Sequence, residues 1–505
     1  MSGTARVLLL LVLTCAVATS AEGQASPFVP LDDPMLPQVE HLILRGDLAD
    51  PSPMVRPFRR SDIRKSLAAA DTSIAAVRAL AAWYAEPLLS PIADTAAAVR
   101  FRVGARGGFQ AGTQARRDFF HPAGAGTIWG YAEVRAEAQW GPLTIVSRPG
   151  FENRVRRDPD WPGRRDNFFS GRLFEGYASL QSGPARLSYG QFERNWGPAG
   201  LPGFSISNVT YRRDGWAFEL MTRRLQFSAY ASQLADERDS TGALAKRYFL
   251  TKRLGVQITD RLNISAWEAT VLTGEDRSFE AAFSNPFSFA YATLTYGYGD
   301  VGTNNMLGAD ITWRVLGRNT LHAQLALDDL WIQDRERNRD RFGGTVRVSG
   351  PLGRRVSYST TYSLVSSLAL RAFRPTESVL DGGVGIGRNF SDNDQFTVQL
   401  GVPVRGTWLL TPEVTLFRQG EGSPRAPYPA LPADPVLFPT LFIGTVERTY
   451  RLAMGVAGRT GALQVLGNVG LHRVENSGNR AGVRVNRVEA RVQATIGTSA
   501  AGWLR

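Results

Sequence analysis

From Val99 onward, apolar and polar residues alternate with the two-residue period of a β-strand, and one face stays apolar along each segment. Val99, Phe101, Val103 and Ala105 alternate with Arg100, Arg102, Gly104 and Arg106. Further on, Ile128, Gly130, Ala132, Val134, Ala136, Ala138 and Trp140 oppose Trp129, Tyr131, Glu133, Arg135, Glu137 and Gln139. Strands of about ten residues with one face apolar throughout suit a lipid bilayer better than a sandwich of sheets. Hydrocarbon offers no partner to an unpaired N–H or C=O, so strands that cross it must close on themselves. The expected fold class is an all-β transmembrane barrel of antiparallel strands with a small N-terminal helical module.

The same alternation recurs at Phe227 to Ala231, Leu262 to Ala266, Leu307 to Val315, Leu321 to Leu327, Val356 to Leu364, Phe396 to Val402, Tyr450 to Val456, Leu463 to Leu471 and Val488 to Ile496. Roughly 16 to 20 such segments are readable, and the preference of single-chain bacterial barrels for even numbers points to about 18 strands. Tight turns at Gly141-Pro142 and Gly183-Pro184 alternate with long loops at Thr113 to Gly126 and Glu152 to Asn167, the asymmetry between periplasmic turns and external loops. A β-solenoid would show a fixed repeat, and none is present. Mean hydropathy is −0.18, and after the N-terminus no run approaches the ~18 apolar residues of a membrane helix, which excludes a helical membrane protein.

Arg6 precedes an apolar run from Val7 to Leu13 and then small residues to Ala21, the pattern of a secretory signal peptide. Residues 1–25 are therefore expected to be removed, 26–96 to form a periplasmic helical module, and 97–505 to form the barrel. Cys15 is the single cysteine and would leave with the signal, so the mature chain would hold no disulfide and no thiolate ligand. A lipoprotein reading of Leu13-Thr14-Cys15 is disfavoured by Thr14. In the module, Asp33 is placed to cap a helix from Pro34 through Arg45 that ends at Gly46. Ser61 would cap a second helix from Asp62 to Ala70, and Thr72 or Ser73 a third, reaching Ala85. The stretch before Val99 reads as too short and too helical to plug a barrel, which argues against a ligand-gated iron transporter.

The net charge is +12, and of 58 basic residues only Lys65, Lys246 and Lys252 are lysine. A basic surplus on an exported chain suits anionic glycans or lipopolysaccharide phosphates, and export makes nucleic acid the least suitable partner. Catalytic signals are weak: His41, His121, His322 and His472 sit in no metal-ligand spacing. His322 shares a strand face with Gln324 and Asp328, and weighs as a lipase-type base only if a serine lies beside it. No catalytic residue, metal site or cofactor is expected.

The most individual stretch is Phe192 to Phe204, a Gly/Pro-rich loop following a strand from Ala185 to Gln191, with Ser205-Ile206-Ser207-Asn208 after it. Arg194, Asn195 and Trp196 are the candidate ligand-binding residues, since an indole stacks on sugar faces and a guanidinium binds carboxylates with two hydrogen bonds. Their alternative roles are structural: Trp196 as a belt residue and Arg194 as an ion-pair partner in the lumen. The run Arg194-Asn195-Trp196-Gly197-Pro198, with Gly203 to Asn208 downstream and Asp32-Asp33-Pro34 opening the module, resembles the Wzi family of capsule assembly proteins. The resemblance implies an outer-membrane barrel with a periplasmic helical bundle, lectin-like in holding capsular polysaccharide at the cell surface; the leading expectation is a non-enzymatic, monomeric barrel that binds an anionic exopolysaccharide or capsule. The rival expectation is a general or sugar-selective porin, which inward arginines such as Arg100, Arg102 and Arg106 would equally suit.

Barrels of this type usually finish on an aromatic residue, and this chain departs from that pattern. The chain ends Gly502-Trp503-Leu504-Arg505, so either Trp503 serves as the terminal aromatic of the last strand or that strand finishes near Ile496. Between Gln419 and Val446, Pro424, Pro427, Pro429, Pro432, Pro435 and Pro439 forbid a regular strand, so an external loop is expected, and its Tyr428 and Phe438 suit contact with a partner or folding back into the barrel mouth.

Overall fold

The computed structural model describes residues 25–85, 99–113, 128–154, 158, 161, 163–211, 213–285, 287–293, 302–329, 339–430 and 439–504. The expected signal peptide falls outside the described residues except for Ala25, as do Phe438, Pro432 and Pro435.

Eighteen antiparallel strands form one closed barrel. They are β1 (Val99–Gly112), β2 (Ile128–Trp140), β3 (Leu143–Glu152), β4 (Ser170–Ser182), β5 (Ala185–Gln191), β6 (Gly215–Met221), β7 (Leu225–Gln233), β8 (Leu244–Thr259) and β9 (Leu262–Gly274). The second half is β10 (Thr303–Arg314), β11 (Thr320–Asp329), β12 (Arg341–Leu352), β13 (Val356–Val365), β14 (Asn393–Pro403), β15 (Leu409–Gln419), β16 (Glu447–Thr460), β17 (Leu463–Glu475) and β18 (Arg484–Leu504). Each strand pairs with its successor, and β1 closes on β18, from Val99 opposite Leu504 to Gly112 opposite Arg491. The last strand includes Trp503, which pairs with Arg100 and sits under its guanidinium. Closure leaves no edge strand, as lipid requires.

The alternation decides which way each residue points. On β2, Ile128, Val134 and Trp140 are exposed on the outer wall, whereas Glu133, Glu137 and Gln139 are buried inside. Connections alternate between tight turns, such as Gly141-Pro142, Gly183-Pro184 and Gly461-Ala462, and long loops at the opposite end. The positive φ of Gly141 (50°), Gly183 (53°) and Gly461 (59°) is the backbone these turns need and glycine tolerates.

Ahead of the barrel lie α1 (Leu36–Arg45), α2 (Arg60–Ala68) and α3 (Ala75–Trp83), packed around Val39, Leu42, Phe58, Ile63, Leu67, Val77 and Leu80. α1 begins two residues later than the sequence suggests, because Asp33 accepts the Met35 N–H at 2.9 Å and holds a turn there instead of a cap. Gly46, with φ of 70°, ends α1 as expected. α2 starts before Ser61, which does not cap it, and α3 starts after Asp71 has bonded the Ser73 N–H. In the rest of the described chain no helix is long and apolar enough to cross a membrane.

The helical segment sits at the tight-turn end and reaches inside. Arg45 donates to the carbonyls of Arg354 and Arg355 at 2.6 and 3.0 Å, and Gln38 to the Thr407 carbonyl at 2.8 Å, both in tight turns. Arg60 forks onto Glu137 of β2, and Arg148 of β3 donates to Asp32. Residues 25–85 therefore occupy the barrel end and reach into the lumen, where the sequence expectation was that the N-terminal stretch does not plug the barrel. Hydropathy patterning cannot report this, because plug and wall meet through polar groups far apart in the chain.

Candidate functional site at the long-loop end

Two long loops fold back into the barrel from the end opposite the tight turns. After β5 the chain turns inward, and Asn195-Trp196 pairs antiparallel with Val55-Arg56 of the N-terminal segment. A second loop, between β13 and β14, lies against it: Ser207 donates to the Gly387 carbonyl at 2.6 Å, and Arg388 to Thr345 Oγ1 of β12 at 2.7 Å. Among the described residues the lumen is thus entered by chain from both ends.

The three residues singled out by sequence fall in this inward loop, with different surroundings. Asn195 is buried and closes the loop on itself, donating to the Leu201 carbonyl at 2.9 Å and accepting the Gly203 N–H at 2.7 Å. Trp196 is buried in an apolar cluster with Phe204, Ile206, Trp267 and Met306, and its carbonyl accepts from Gln324 of β11 at 2.9 Å. Gly203 passes so close that a Cβ there would stand 1.9 Å from the Trp196 carbonyl oxygen. The loop's glycines thus permit a backbone approach that any side chain would block. In this position Asn195 and Trp196 brace the loop. Arg194 faces a cavity: its guanidinium lies over the Phe192 ring at 3.6 Å and the Tyr230 ring at 4.2 Å, and only 6% of the residue is exposed.

A second group of guanidinium and aromatic side chains adjoins the cavity through Tyr211. The Tyr211 ring meets Trp161 edge-on at 4.8 Å. Arg172 lies 4.8 Å from the Tyr211 centroid and 5.8 Å from that of Trp161. Arg154 lies 5.1 Å from Trp129 and donates to the Tyr211 hydroxyl at 3.3 Å, while that hydroxyl donates to Asp158. Burial, with Asp158 alongside, pushes the Tyr211 phenol well above its ordinary range and keeps it a neutral donor. Rings bounded by fixed guanidinium groups can stack on the apolar faces of a sugar and pair its anionic groups. Sequence reading missed Trp129, Arg154, Trp161, Arg172 and Tyr211 as a group. They come from four separate stretches, and the one available signal was aromatic residues beside arginines in the long loops.

The lumen below is knitted by charge. Arg148, almost wholly buried, donates to Glu133 at 2.7 Å and to Asp32 at 2.9 Å, and Arg135 links Glu137 to Glu175. Farther round, Asp310 accepts from Arg253 at 2.8 Å, Trp267 at 3.1 Å and Gln324 at 2.8 Å. Such pairs contribute little net stability, but losing one partner strands the other, so they fix the position of the inserted chain.

Among the described residues, His322 and His41 are not placed in a Ser–His–carboxylate arrangement. His322 is buried and its Nδ1 has no hydrogen-bond partner. The serine contact belongs to His41 instead, whose Nδ1 lies 2.9 Å from Ser357 Oγ at the tight-turn end. His41 Nε2 has no partner, so no carboxylate orients the ring.

No protein-family profile matches the chain, and no curated protein matches its sequence. Among solved structures it is similar to Wzi of Escherichia coli, an outer-membrane protein involved in group 1 capsule assembly and described as a carbohydrate-binding β-barrel. The TM-score is 0.63 at 13% identity, covering 93% of this chain and 99% of that one. The likeness suggested by the Arg194 to Pro198 run is therefore met by a likeness of fold. OprD of Pseudomonas aeruginosa and OccAB2 of Acinetobacter baumannii are more distant, with TM-scores of 0.45 and 0.46 at 11% identity. They cover 82% and 79% of this chain and 100% and 98% of their own.

Proposed function

We propose that this outer-membrane-type barrel binds and organises an extracellular, capsule-like polysaccharide at its long-loop end, without catalysing a reaction on it. The observation that carries the reading is the filled lumen: the N-terminal segment enters from one end and the loops after β5 and β13 from the other. A barrel obstructed in this way suits holding a ligand at its mouth better than passing solutes through. The Tyr211 cluster supplies the kind of surface that sugars stack on, held in place by Arg154 and Arg172, which share the buried carboxylate of Glu152. The carbohydrate-binding description of a barrel with this fold supports the same reading. On it, the helical segment lies in the periplasm, the long loops face outward, and lipopolysaccharide surrounds the outer wall.

The rival is a general or sugar-selective porin, favoured by the inward guanidinium groups of the wall. Planar-bilayer recording of the intact barrel separates the two. A plugged binder passes little current, and steady large conductance would favour the porin.

A further inference from the structure

Arg194 is a buried cation with no ion-pair partner among the described residues. Its Nη2 has no hydrogen-bond partner, and its close contacts are the rings of Phe192 and Tyr230. Glu219 acts on it from a distance, and among the described residues no carboxylate reaches ion-pair range. The cavity it faces also holds Glu193 and Asp381, yet neither compensates it. Asp381 is taken by Arg213 and by the Ala235 N–H at 3.0 Å, and Glu193 forms no ion pair with Arg194. Burial pushes the guanidinium below its ordinary range, as expected for a cation without local compensation. Natural structures rarely leave such a group bare, because an unpaired buried charge is strongly destabilising.

The cavity has the size and lining for an anion. Its volume is about 40 Å³, and since one water needs roughly 10–15 Å³ on this measure, the space suits a few waters or one carboxylate group. Asn208, Thr210 and Ser232 line it with small polar side chains, and Tyr211 joins it to the aromatic cluster at the mouth. With aromatic rings against the guanidinium faces, its N–H groups are what remain for a ligand, and a carboxylate oxygen both accepts from them and supplies the missing charge. A whole sugar does not fit the recess, whereas a carboxylate projecting from a sugar held at the Tyr211 cluster does.

We propose that the Arg194 recess is a binding site for a single carboxylate, that of a uronic acid or similarly acidic sugar within the glycan. This rests on the glycan-binding reading above and places the glycan's acidic group in the recess at Arg194. Phe192 also stacks on Phe28 of the N-terminal segment at 4.6 Å, so the recess is braced from below by the plug.

The test uses the full-length refolded barrel with glucuronate oligosaccharides, matched neutral glucose oligosaccharides, and acetate as a competitor. The parent should prefer the acidic oligosaccharide, and acetate at high concentration should displace it. Arg194→Gln should weaken acidic binding about ten-fold or more while leaving any neutral binding unchanged, and Arg194→Lys should recover it only in part. Competition by acetate in the unaltered protein needs no variant, so a substitution that prevents folding leaves the test intact. Acidic binding that survives Arg194→Gln and is indifferent to acetate overturns the recess while the glycan reading stands. If no oligosaccharide binds but acetate still stabilises the parent and not Arg194→Gln, the recess stands as a small-anion site and the glycan reading fails.

Discussion

Arg60 of α2 donates from Nη1 and Nη2 to the two carboxylate oxygens of Glu137 on β2, at 2.8 and 2.9 Å, and both side chains are buried. This two-pronged bond joins the N-terminal segment to the barrel wall, and Arg135 shares the same carboxylate at 2.7 Å. Arg60→Met should loosen the docked segment by roughly 1.5–3 kcal/mol, the range for hydrogen bonds to a charged group. Paired with Glu137→Gln in a double-mutant cycle, the losses should fall short of additive by about 1 kcal/mol. Protease cutting of the segment, followed against denaturant, measures both. Additive losses would show that the pair does not act as a unit.

Gly203 is the tightest point of the inward loop. Gly203→Ala would drive a Cβ into the Trp196 carbonyl, which lies 1.9 Å from where it must go. The loop should shift at a cost of about 1–3 kcal/mol, the usual range for overpacking. Glycan binding should fall while the barrel keeps its heat-modifiable mobility on gels. Unchanged binding would mean that the loop's inward path is not needed for the ligand.

Docking of the helical segment should depend on acidity through His41. Burial, and then the nearby Arg45 charge, push its pKa from 6.5 down to about 4. A depressed pKa means the unfolded chain takes the proton first as acidity rises. The stability is therefore fully present above pH 6.5 and is lost as pH falls from there toward 4. At roughly 1.4 kcal/mol per pH unit, the loss by pH 4 is about 3 kcal/mol. Protease sensitivity of residues 25–85 should rise across that window in the parent, and the rise should be smaller in His41→Gln. An identical pH profile in both proteins would remove His41 as the cause.

Removing residues 26–96 should leave a barrel that still folds in detergent but conducts. The wall strands pair without the segment, while Asp32, Val55-Arg56 and Arg60 no longer occupy the lumen. Bilayer conductance should rise well above that of the intact chain. Failure to fold would show that the segment is part of the barrel's core, and unchanged conductance would show that the loops alone close it.

The wall was legible in the sequence because lipid imposes a strict rule on it. On β2 every second residue from Ile128 to Trp140 had to be apolar or small, and the strand count followed from repeated runs of that kind. The lumen imposes no such period. Arg60 and Glu137 lie 77 residues apart, and nothing local to either announces the other. The loop after β5 was marked by its glycines and prolines, yet whether it points out or in depends on Gln324 reaching the Trp196 carbonyl from a distant strand. For the same reason Arg194 and Trp196 could be singled out together, while the different surroundings of the two became visible only in three dimensions. The proline-rich loop after β15 forms no strand in its described part, and Tyr428 folds back to meet the Phe373 ring at a tilt, with centroids 4.1 Å apart.

Binding of the intact refolded barrel to an array of acidic and neutral polysaccharides is the direct test of a plugged, lectin-like barrel. Retention of acidic polysaccharide is the expected result, with Tyr211→Ala and Trp161→Ala each lowering affinity about ten-fold, equivalent to roughly 1.4 kcal/mol. An intact barrel that binds no polysaccharide on the array and conducts freely in a bilayer would contradict polysaccharide binding and leave the porin in its place.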